Sequence, residues 1–120
     1  MHKINEFFFS VKCASKGIKT VLKEEQNFQI EIIIAIFTIL LGIFLDINNI
    51  EMIMIIISII IVLTGEMVNT AVEDLCNKIE PHHDSTIGKI KDIMAGFVLI
   101  TSIGTVVVGL IIFLPKILTF

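Results

Sequence analysis

Gly65-Glu66-Met67-Val68-Asn69-Thr70-Ala71-Val72-Glu73 is a polar segment at one end of a very apolar run. Within it, Glu66, Asn69 and Glu73 are spaced at i, i+3 and i+7, which places their side chains within about 60° of one another on a helix. The resulting stripe is about 10 Å long. Ionisable residues are energetically costly in a helix apolar enough to cross a membrane, so they indicate a functional site. The alternative is a polar seam that only joins helices.

The composition is typical of a membrane protein. Hydrophobic residues make up 55% of 120 residues and the mean hydropathy is +0.95, which is too apolar for a soluble domain of this length. The length allows one domain, residues 1–120. All nine basic residues are Lys, so a phosphate would be bound by Lys, backbone amides or a metal ion. Cys13 and Cys76 are expected to be free thiols.

Residues 3–23 are predicted to form an amphipathic surface helix. An apolar face flanked by Lys suits the membrane interface, where anionic lipids attract the charges. The apolar face contains Ile4, Phe7, Phe8, Val11, Ile18 and Leu22, and the Lys stripe contains Lys12, Lys16, Lys19 and Lys23. We therefore expect membrane lipids to be partners of this helix.

Three apolar stretches are long enough to cross a bilayer. The expected spans are residues 30–47, 52–71 and 93–114. Asp46-Ile47-Asn48-Asn49 predicts a short turn between the first two spans. Residues near Ser85 are expected to cap the third helix, and Pro115 is expected to end it. The predicted fold class is an all-α membrane protein, with an amino-terminal surface helix and three transmembrane helices.

The lysines predict the orientation in the membrane. Five precede the first span, three lie between the second and third spans, and none lies between the first two. The amino terminus and residues 74–92 are therefore expected to be cytoplasmic, with residues 46–51 outside. This topology gathers one set of polar residues at the cytoplasmic level: Glu25, Glu66, Asn69, Glu73, Lys91 and Asp92. Gly88, Asp92 and Gly96 share a face that we expect to pack against a neighbouring helix.

Carboxylates, an amide and a lysine at a cytoplasmic membrane face suit a phosphorylated ligand with Mg²⁺. Mg²⁺ is commonly bound by one or two carboxylates and phosphate oxygens, and Lys meets phosphate as a point charge. These parts predict phosphoryl transfer from MgATP to a hydroxyl at the interface, a reaction that depends mainly on positioning and charge neutralisation. Nucleotide-binding loop motifs are missing, since Gly88-Lys89-Ile90 matches only part of a P-loop.

Adjacent histidines follow the second span, at His82 and His83. Without a third ligand they are a weak signal for a metal site. We interpret them as exposed loop residues. The net charge of −3 is accompanied by no nucleic-acid-binding motif, and no nucleic-acid partner is expected.

The segment Glu66–Glu73, followed by Lys91-Asp92 and Ala95-Gly96, resembles the small bacterial integral-membrane lipid kinases, the diacylglycerol kinase and undecaprenol kinase family. Lys16-Gly17-Ile18-Lys19 and Glu25-Gln26-Asn27-Phe28 also fit, and the match covers nearly the whole chain. The resemblance implies an ATP-dependent lipid kinase of the bacterial cytoplasmic membrane. It also implies a homotrimer with sites shared between subunits.

The resemblance also implies individual roles. Glu66 would be the catalytic base, with Asn69 beside it in the site. The carboxylates of Glu25 and Glu73 would hold the Mg²⁺ of MgATP and contact the nucleotide. Glu31 would lie near the lipid hydroxyl, so that the expected substrate-binding residues are Glu31, Glu66 and Asn69. The further nucleotide-binding residues would be Lys16, Lys91 and Asp92.

The chain departs from the family pattern at positions that are basic, acidic or aromatic in many relatives. These positions are Glu6, Gln29, Asn77 and His82-His83 after Pro81. The Met-Val-Asn-Thr core, the Pro81 loop and the Gly-Leu-Ile-Ile-Phe-Leu-Pro tail are more similar to the undecaprenol kinase branch. Undecaprenol is therefore the expected acceptor, and diacylglycerol is the alternative. An alternative of another class is a non-catalytic membrane assembly subunit.

Overall fold

The computed structural model describes residues 2–80, 82 and 84–119. Over these residues the chain forms four α-helices. They are α1 His2–Glu24, α2 Gln26–Phe44, α3 Asn49–Ile79 and α4 Ser85–Thr119. The last three are each long and apolar enough to cross a membrane. The predicted fold class, an amino-terminal helix followed by three membrane-spanning helices, is confirmed. Pro81 and His83, which were expected in an exposed loop, lie outside the described residues.

Helix α1 packs mainly on α2 and leaves most of its surface free. Its buried residue is Val21, whereas the Phe7 and Phe8 side chains of the predicted apolar face are 64% and 65% exposed. The Gln29 Nε2 donates a hydrogen bond to the Leu22 carbonyl oxygen at 2.7 Å, which ties the end of α1 to the first turn of α2. An apolar face without a protein partner is suited to the membrane interface.

The turn between α2 and α3 is closed by backbone hydrogen bonds at the end of α2. Asp46 has a positive φ of 56°, its N–H donates to the Ile43 carbonyl, and the Ile47 N–H donates to the Gly42 carbonyl. This is the Schellman pattern of helix termination. A Cβ on Gly42 would lie 2.9 Å from the Ile47 Cδ1, so glycine at this position allows Ile47 to fold back onto α2.

Helix α3 begins with a capping box. The Asn48 Oδ1 accepts from the Glu51 N–H at 2.8 Å, and the Glu51 carboxylate accepts from the Asn48 N–H at 3.1 Å. These reciprocal bonds satisfy backbone groups that the first helical turn leaves free. The short connection predicted at residues 46–49 is therefore present, and α2 ends at Phe44.

Helices α3 and α4 are longer than the membrane part expected of each. With 31 and 35 residues they are about 46 and 52 Å long, against about 30 Å of hydrocarbon. Much of the 74–92 segment is therefore helical, since α3 ends at Ile79 and α4 begins at Ser85. The Asp84 Oδ1 caps α4 by accepting from the Thr86 and Ile87 N–H groups.

The expectation that Pro115 ends α4 is wrong, because the helix continues to Thr119. Proline lacks the N–H that would bond one turn back, yet membrane helices tolerate it where other contacts compensate. The carbonyl that loses its N–H donor is that of Ile111, whereas the Thr119 hydroxyl donates to the Pro115 carbonyl at 2.8 Å in the last turn of α4. The Lys116 ammonium lies 3.7 Å from a Glu51 carboxylate oxygen, which links the last turns of α4 to the first turn of α3.

The most extensive helix contact joins α3 to α4. At the end nearer the α2–α3 turn it forms an apolar core of Ile47, Ile55, Ile112 and Phe113. Toward the other end, a Cβ on Gly65 would lie 2.8 Å from the Phe97 ring. Glycine therefore lets α4 approach α3 directly beside Glu66.

The small-residue face of α4 does not make the predicted helix contact within this chain. A Cβ added to Gly88 or Gly96 would meet no atom of the described residues within 4 Å, and Asp92 between them is exposed. The reason is the rotation of α4, since the face that carries Phe97 packs on α3. Within this chain no helix of the described residues covers Asp92, and its contact with a neighbouring helix stays a prediction for another subunit.

Candidate functional site

A cavity of about 370 Å³ lies where α3, α4 and the start of α2 meet. It brings the Glu66, Asn69 and Glu73 stripe of α3 opposite Lys91 of α4. Its lining residues are Asn27, Glu66, Asn69, Val72, Glu73, Lys91, Met94, Ala95 and Val98. The helical spacing of the stripe and the close approach of α4 together produce this arrangement.

Glu66 is the buried carboxylate of the cavity wall. Its residue surface is only 3% exposed, whereas Asn69 is half-buried and Glu73 is exposed. The neighbouring buried hydroxyl, on Thr70, donates to the Glu66 backbone carbonyl at 2.9 Å. Burying an ionisable group without a compensating partner is unfavourable, so such a group in a membrane helix indicates a functional site. This arrangement leaves the Glu66 carboxylate free to interact with a bound molecule.

Several carboxylates act electrostatically on one another around Glu66. The charges of Glu25 and Glu73 act on Glu66, and the charge of Glu66 acts on Glu31. Like charges in one region repel unless a cation lies between them. The arrangement therefore favours a cation or a cationic side chain at this end of the helices.

The donor set fits the Mg²⁺ that accompanies a nucleotide. Among residues 2–80, 82 and 84–119, no three His, Cys, Asp or Glu side chains converge on one metal position. Mg²⁺ with substrate phosphates needs only one or two carboxylates from the protein. The exposed Glu73 in the cavity supplies one carboxylate, and Glu25, whose charge acts on Glu66 although it does not line the cavity, is the candidate for a second.

The Lys91 ammonium donates a hydrogen bond to the Asn77 Oδ1 at 2.8 Å. This bond crosses from α4 to α3, one helical turn beyond Glu73. It holds the long Lys91 side chain at the cavity. Lys91 thus lies at the cavity that contains Glu66 and Glu73, the position expected for a phosphate-binding lysine.

Three of the expected nucleotide-binding residues, Glu25, Lys16 and Asp92, are not among the residues that line the cavity. Lys16 is exposed on α1 and is not among the residues that line the cavity. Asp92 lies about 100° around α4 from Lys91 and lines a separate open groove with Ser85, Gly88, Lys89 and Ile93. Within one chain, the structure therefore brings Glu73 and Lys91 to the cavity but not Glu25, Asp92 or Lys16.

Asn27 is a cavity residue to which the sequence assigned no role. It lies in the first turn of α2, four residues before Glu31, so the two residues share one face of that helix. The spacing of the Asn27 amide and the Glu31 carboxylate, one helical turn apart, was the sequence pattern that could have identified Asn27 as a site residue. His82, by contrast, is exposed, and its backbone N–H donates to a Glu80 carboxylate oxygen.

A second space of about 370 Å³ forms an apolar groove between α2, α3 and α4. Glu31 and Phe113 are among its lining residues, so the groove extends from the carboxylate region toward the apolar core. The Glu31 Oε2 is buried and has no hydrogen-bond partner among the described residues. This oxygen therefore lacks the partner that most buried polar atoms have.

The hydroxyl groups that line this groove are largely bonded to their own helices. Thr38 donates to the Ile34 carbonyl, Ser58 to the Met54 carbonyl and Thr105 to the Thr101 carbonyl. Those hydrogens are therefore not free for a ligand. The groove presents an essentially apolar surface with a carboxylate near one end.

Comparison with known proteins places the chain in a family. The model of the family described as prokaryotic diacylglycerol kinase matches residues 12–113. An undecaprenol kinase of Bacillus subtilis (strain 168) is 31% identical over 115 residues, which cover 96% of this chain and 94% of that protein. A diacylglycerol kinase of Haemophilus influenzae (strain ATCC 51907 / DSM 11121 / KW20 / Rd) is 34% identical over 91 residues, which cover 76% and 74%.

The region matched by the family model, residues 12–113, includes the cavity residues of α3 and α4. The matches confirm the predicted resemblance and the predicted class of enzyme, a lipid kinase. With its three membrane-spanning helices and its carboxylate-lined cavity, the chain belongs to the prokaryotic diacylglycerol kinase family.

Proposed function

We propose that this protein transfers the γ-phosphoryl group of ATP to a membrane lipid alcohol, with undecaprenol as the preferred acceptor. The observation that carries the proposal is the position of buried Glu66. It lines a polar cavity with Asn69, Glu73 and Lys91, and it interacts with Glu31 of the neighbouring apolar groove. A nucleotide and a lipid can thus approach one carboxylate from two sides.

Glu66 is proposed as the general base. The lipid hydroxyl oxygen forms a bond to the γ-phosphorus while the bond from that phosphorus to the β–γ bridging oxygen breaks and ADP leaves. The hydroxyl proton passes to the Glu66 carboxylate. Asn69, one helical turn away, orients the reacting groups through its amide. A positioned base of this kind contributes about 10²- to 10⁴-fold to a rate.

The charges of the nucleotide are proposed to be met by residues around Glu66. Lys91 meets a phosphate as a point charge, and Glu25 and Glu73 hold Mg²⁺ through carboxylate oxygens. When bound, Mg²⁺ neutralises charge on the phosphates. Asp92 and Lys16 are retained only as proposed outer nucleotide contacts, because neither lines the cavity of this chain and neither acts on the Glu66 charge as Glu25 does.

The lipid is proposed to lie in the apolar groove with its hydroxyl near Glu31, Asn69 and Glu66. Undecaprenol is favoured because the undecaprenol kinase relative matches 96% of the chain. The apolar lining of the groove also suits a hydrocarbon tail without polar ester groups. Diacylglycerol remains the second candidate, on the basis of the Haemophilus influenzae relative.

The test is transfer of labelled phosphate from ATP to a panel of lipid alcohols by purified protein in detergent micelles. We expect kcat/KM for undecaprenol to exceed that for diacylglycerol by about tenfold, a difference within reach of an apolar pocket. A preference for diacylglycerol would contradict the choice of lipid but not the activity. Transfer to neither lipid would contradict the kinase proposal and favour a non-catalytic assembly subunit.

We further propose that the site faces the cytoplasm of a bacterium and that the protein is a homotrimer. The lysine distribution supports this orientation. The uncovered Gly88 and Gly96 face of α4 is available to a second copy, which supports assembly. ATP is cytoplasmic, so this orientation is required by the proposed reaction.

The orientation predicts a labelling pattern in intact cells. Asn48 is exposed in the α2–α3 turn and Cys13 is exposed on α1, whereas Cys76 is buried, and both native cysteines are free. An impermeant thiol reagent should label the Asn48→Cys variant from outside but not the parent protein. Cys13 of the parent should react only after permeabilisation. Labelling of Cys13 in intact cells would reverse the orientation.

A further inference from the structure

We propose that Asn77 is a positioning residue, which holds the Lys91 ammonium at the nucleotide site and keeps it from pairing with Glu73. This inference rests on the proposed function, in which Lys91 meets a phosphate and Glu73 a metal ion. The Lys91 Nζ donates to the Asn77 Oδ1 at 2.8 Å. Lys91 lines the cavity with Glu73, and Asn77 does not.

The position of Asn77 on α3 explains why it can perform this role. It lies one helical turn beyond Glu73, so both side chains project from neighbouring turns of the same face. An ammonium that reaches across from α4 meets either the Glu73 carboxylate or the Asn77 amide. Among the described residues no ion pair joins Lys91 to Glu73, and the hydrogen bond goes to the amide.

A lysine at a phosphate site benefits from such an anchor. Its four-carbon stem is flexible and loses rotamer freedom when it is held in one geometry. Fixing it before the nucleotide arrives reduces the ordering cost of binding. Because Lys91 is held away from Glu73, the carboxylate also remains available to a cation.

The experiment compares Asn77→Leu with Asn77→Asp by titrating a fluorescent, non-hydrolysable ATP analogue with Mg²⁺ in micelles. The leucine variant removes the acceptor, and the aspartate variant keeps an acceptor oxygen of similar reach. We expect Asn77→Leu to raise the Kd of the analogue and the KM for ATP about fivefold, the size expected for one exposed hydrogen bond. Its kcat should remain within about twofold of the parent value, because the reacting groups are not touched.

We expect Asn77→Asp to retain a Kd within about twofold of the parent value, since an exposed ion pair is only slightly stronger than the bond it replaces. In a Lys91→Met background, Asn77→Leu should have no further effect, because the two residues act through one contact. Asn49→Leu is the matched control. It places the same change at the opposite, exposed end of α3 and should leave the Kd unchanged.

Each outcome bears on the inference. An unchanged Kd for Asn77→Leu, an equal rise for Asn77→Asp, or a full effect of Asn77→Leu in the Lys91→Met background would overturn it while leaving the kinase proposal intact. A parent protein that does not bind the analogue would overturn the proposed function, and this inference with it. Thermal unfolding of each variant in the same micelles should match the parent, because Asn77 is exposed.

Discussion

Replacing Glu66 with Gln is expected to lower kcat for lipid phosphorylation by at least about 100-fold, the lower end of the range for general base catalysis. Gln keeps the size and hydrogen-bonding capacity of the side chain but does not accept the hydroxyl proton at neutral pH. The measurement is single-turnover phosphoryl transfer in micelles, so that chemistry and not product release is observed. The Kd of MgATP should remain within about twofold of the parent value.

The loss of activity in Glu66→Gln should not come from unfolding. Glu66 is 3% exposed, and neutralising a buried carboxylate that lacks a close ion-pair partner does not remove a stabilising contact. The variant should therefore unfold at the same temperature as the parent or higher. Glu24→Gln, an exposed change at the end of α1, is the matched control and should retain full activity. A wild-type rate for Glu66→Gln would move the base elsewhere, and Glu31 would be the next candidate.

Replacing Glu73 with Gln is expected to raise the Mg²⁺ concentration for half-maximal activity by at least about tenfold and to lower turnover at limiting Mg²⁺. The reason is the loss of a charged oxygen ligand from a site that has few protein ligands. A Mg²⁺ titration of labelled phosphate transfer measures the effect. Glu66→Gln should leave this Mg²⁺ dependence near that of the parent, which separates the metal role from the base role.

Asp74→Asn is the control for the metal prediction. Asp74 is the adjacent carboxylate on α3, and it is exposed and does not line the cavity. The Asp74→Asn substitution removes the same charge from the same turn of α3 as Glu73→Gln does. General electrostatic effects on MgATP are therefore common to the two variants. An equal shift in Mg²⁺ dependence for both variants would contradict the assignment of Glu73 as a ligand.

The features that could be read from the amino-acid order are those that depend on local periodicity. Apolar stretches of sufficient length predicted three spans, and the spacing of Glu66, Asn69 and Glu73 predicted a single face of α3. Both follow from helix geometry, which is the same wherever the helix packs. The turn at residues 46–49 also depends only on nearby residues, since its cap and backbone bonds lie within a few positions.

Helix periodicity and apolar length did not predict that α3 and α4 continue through polar or proline-containing segments. Residues 74–79 are polar but remain helical in α3, and Pro115 lies inside α4. Polarity marks exposure to water and does not by itself end a helix. The Pro115 turn is joined by Lys116 to Glu51 on another helix, a contact between residues far apart in the chain.

Tertiary packing decided which neighbours reach the cavity. Lys91 and Asp92 are adjacent in the chain, yet only Lys91 lines the cavity, because consecutive helical residues point about 100° apart. The rotation that selects Lys91 is set where Phe97 packs against Gly65. The same contact brings α4 beside Glu66, and burial of that carboxylate is a property of the packed helices and not of α3 alone.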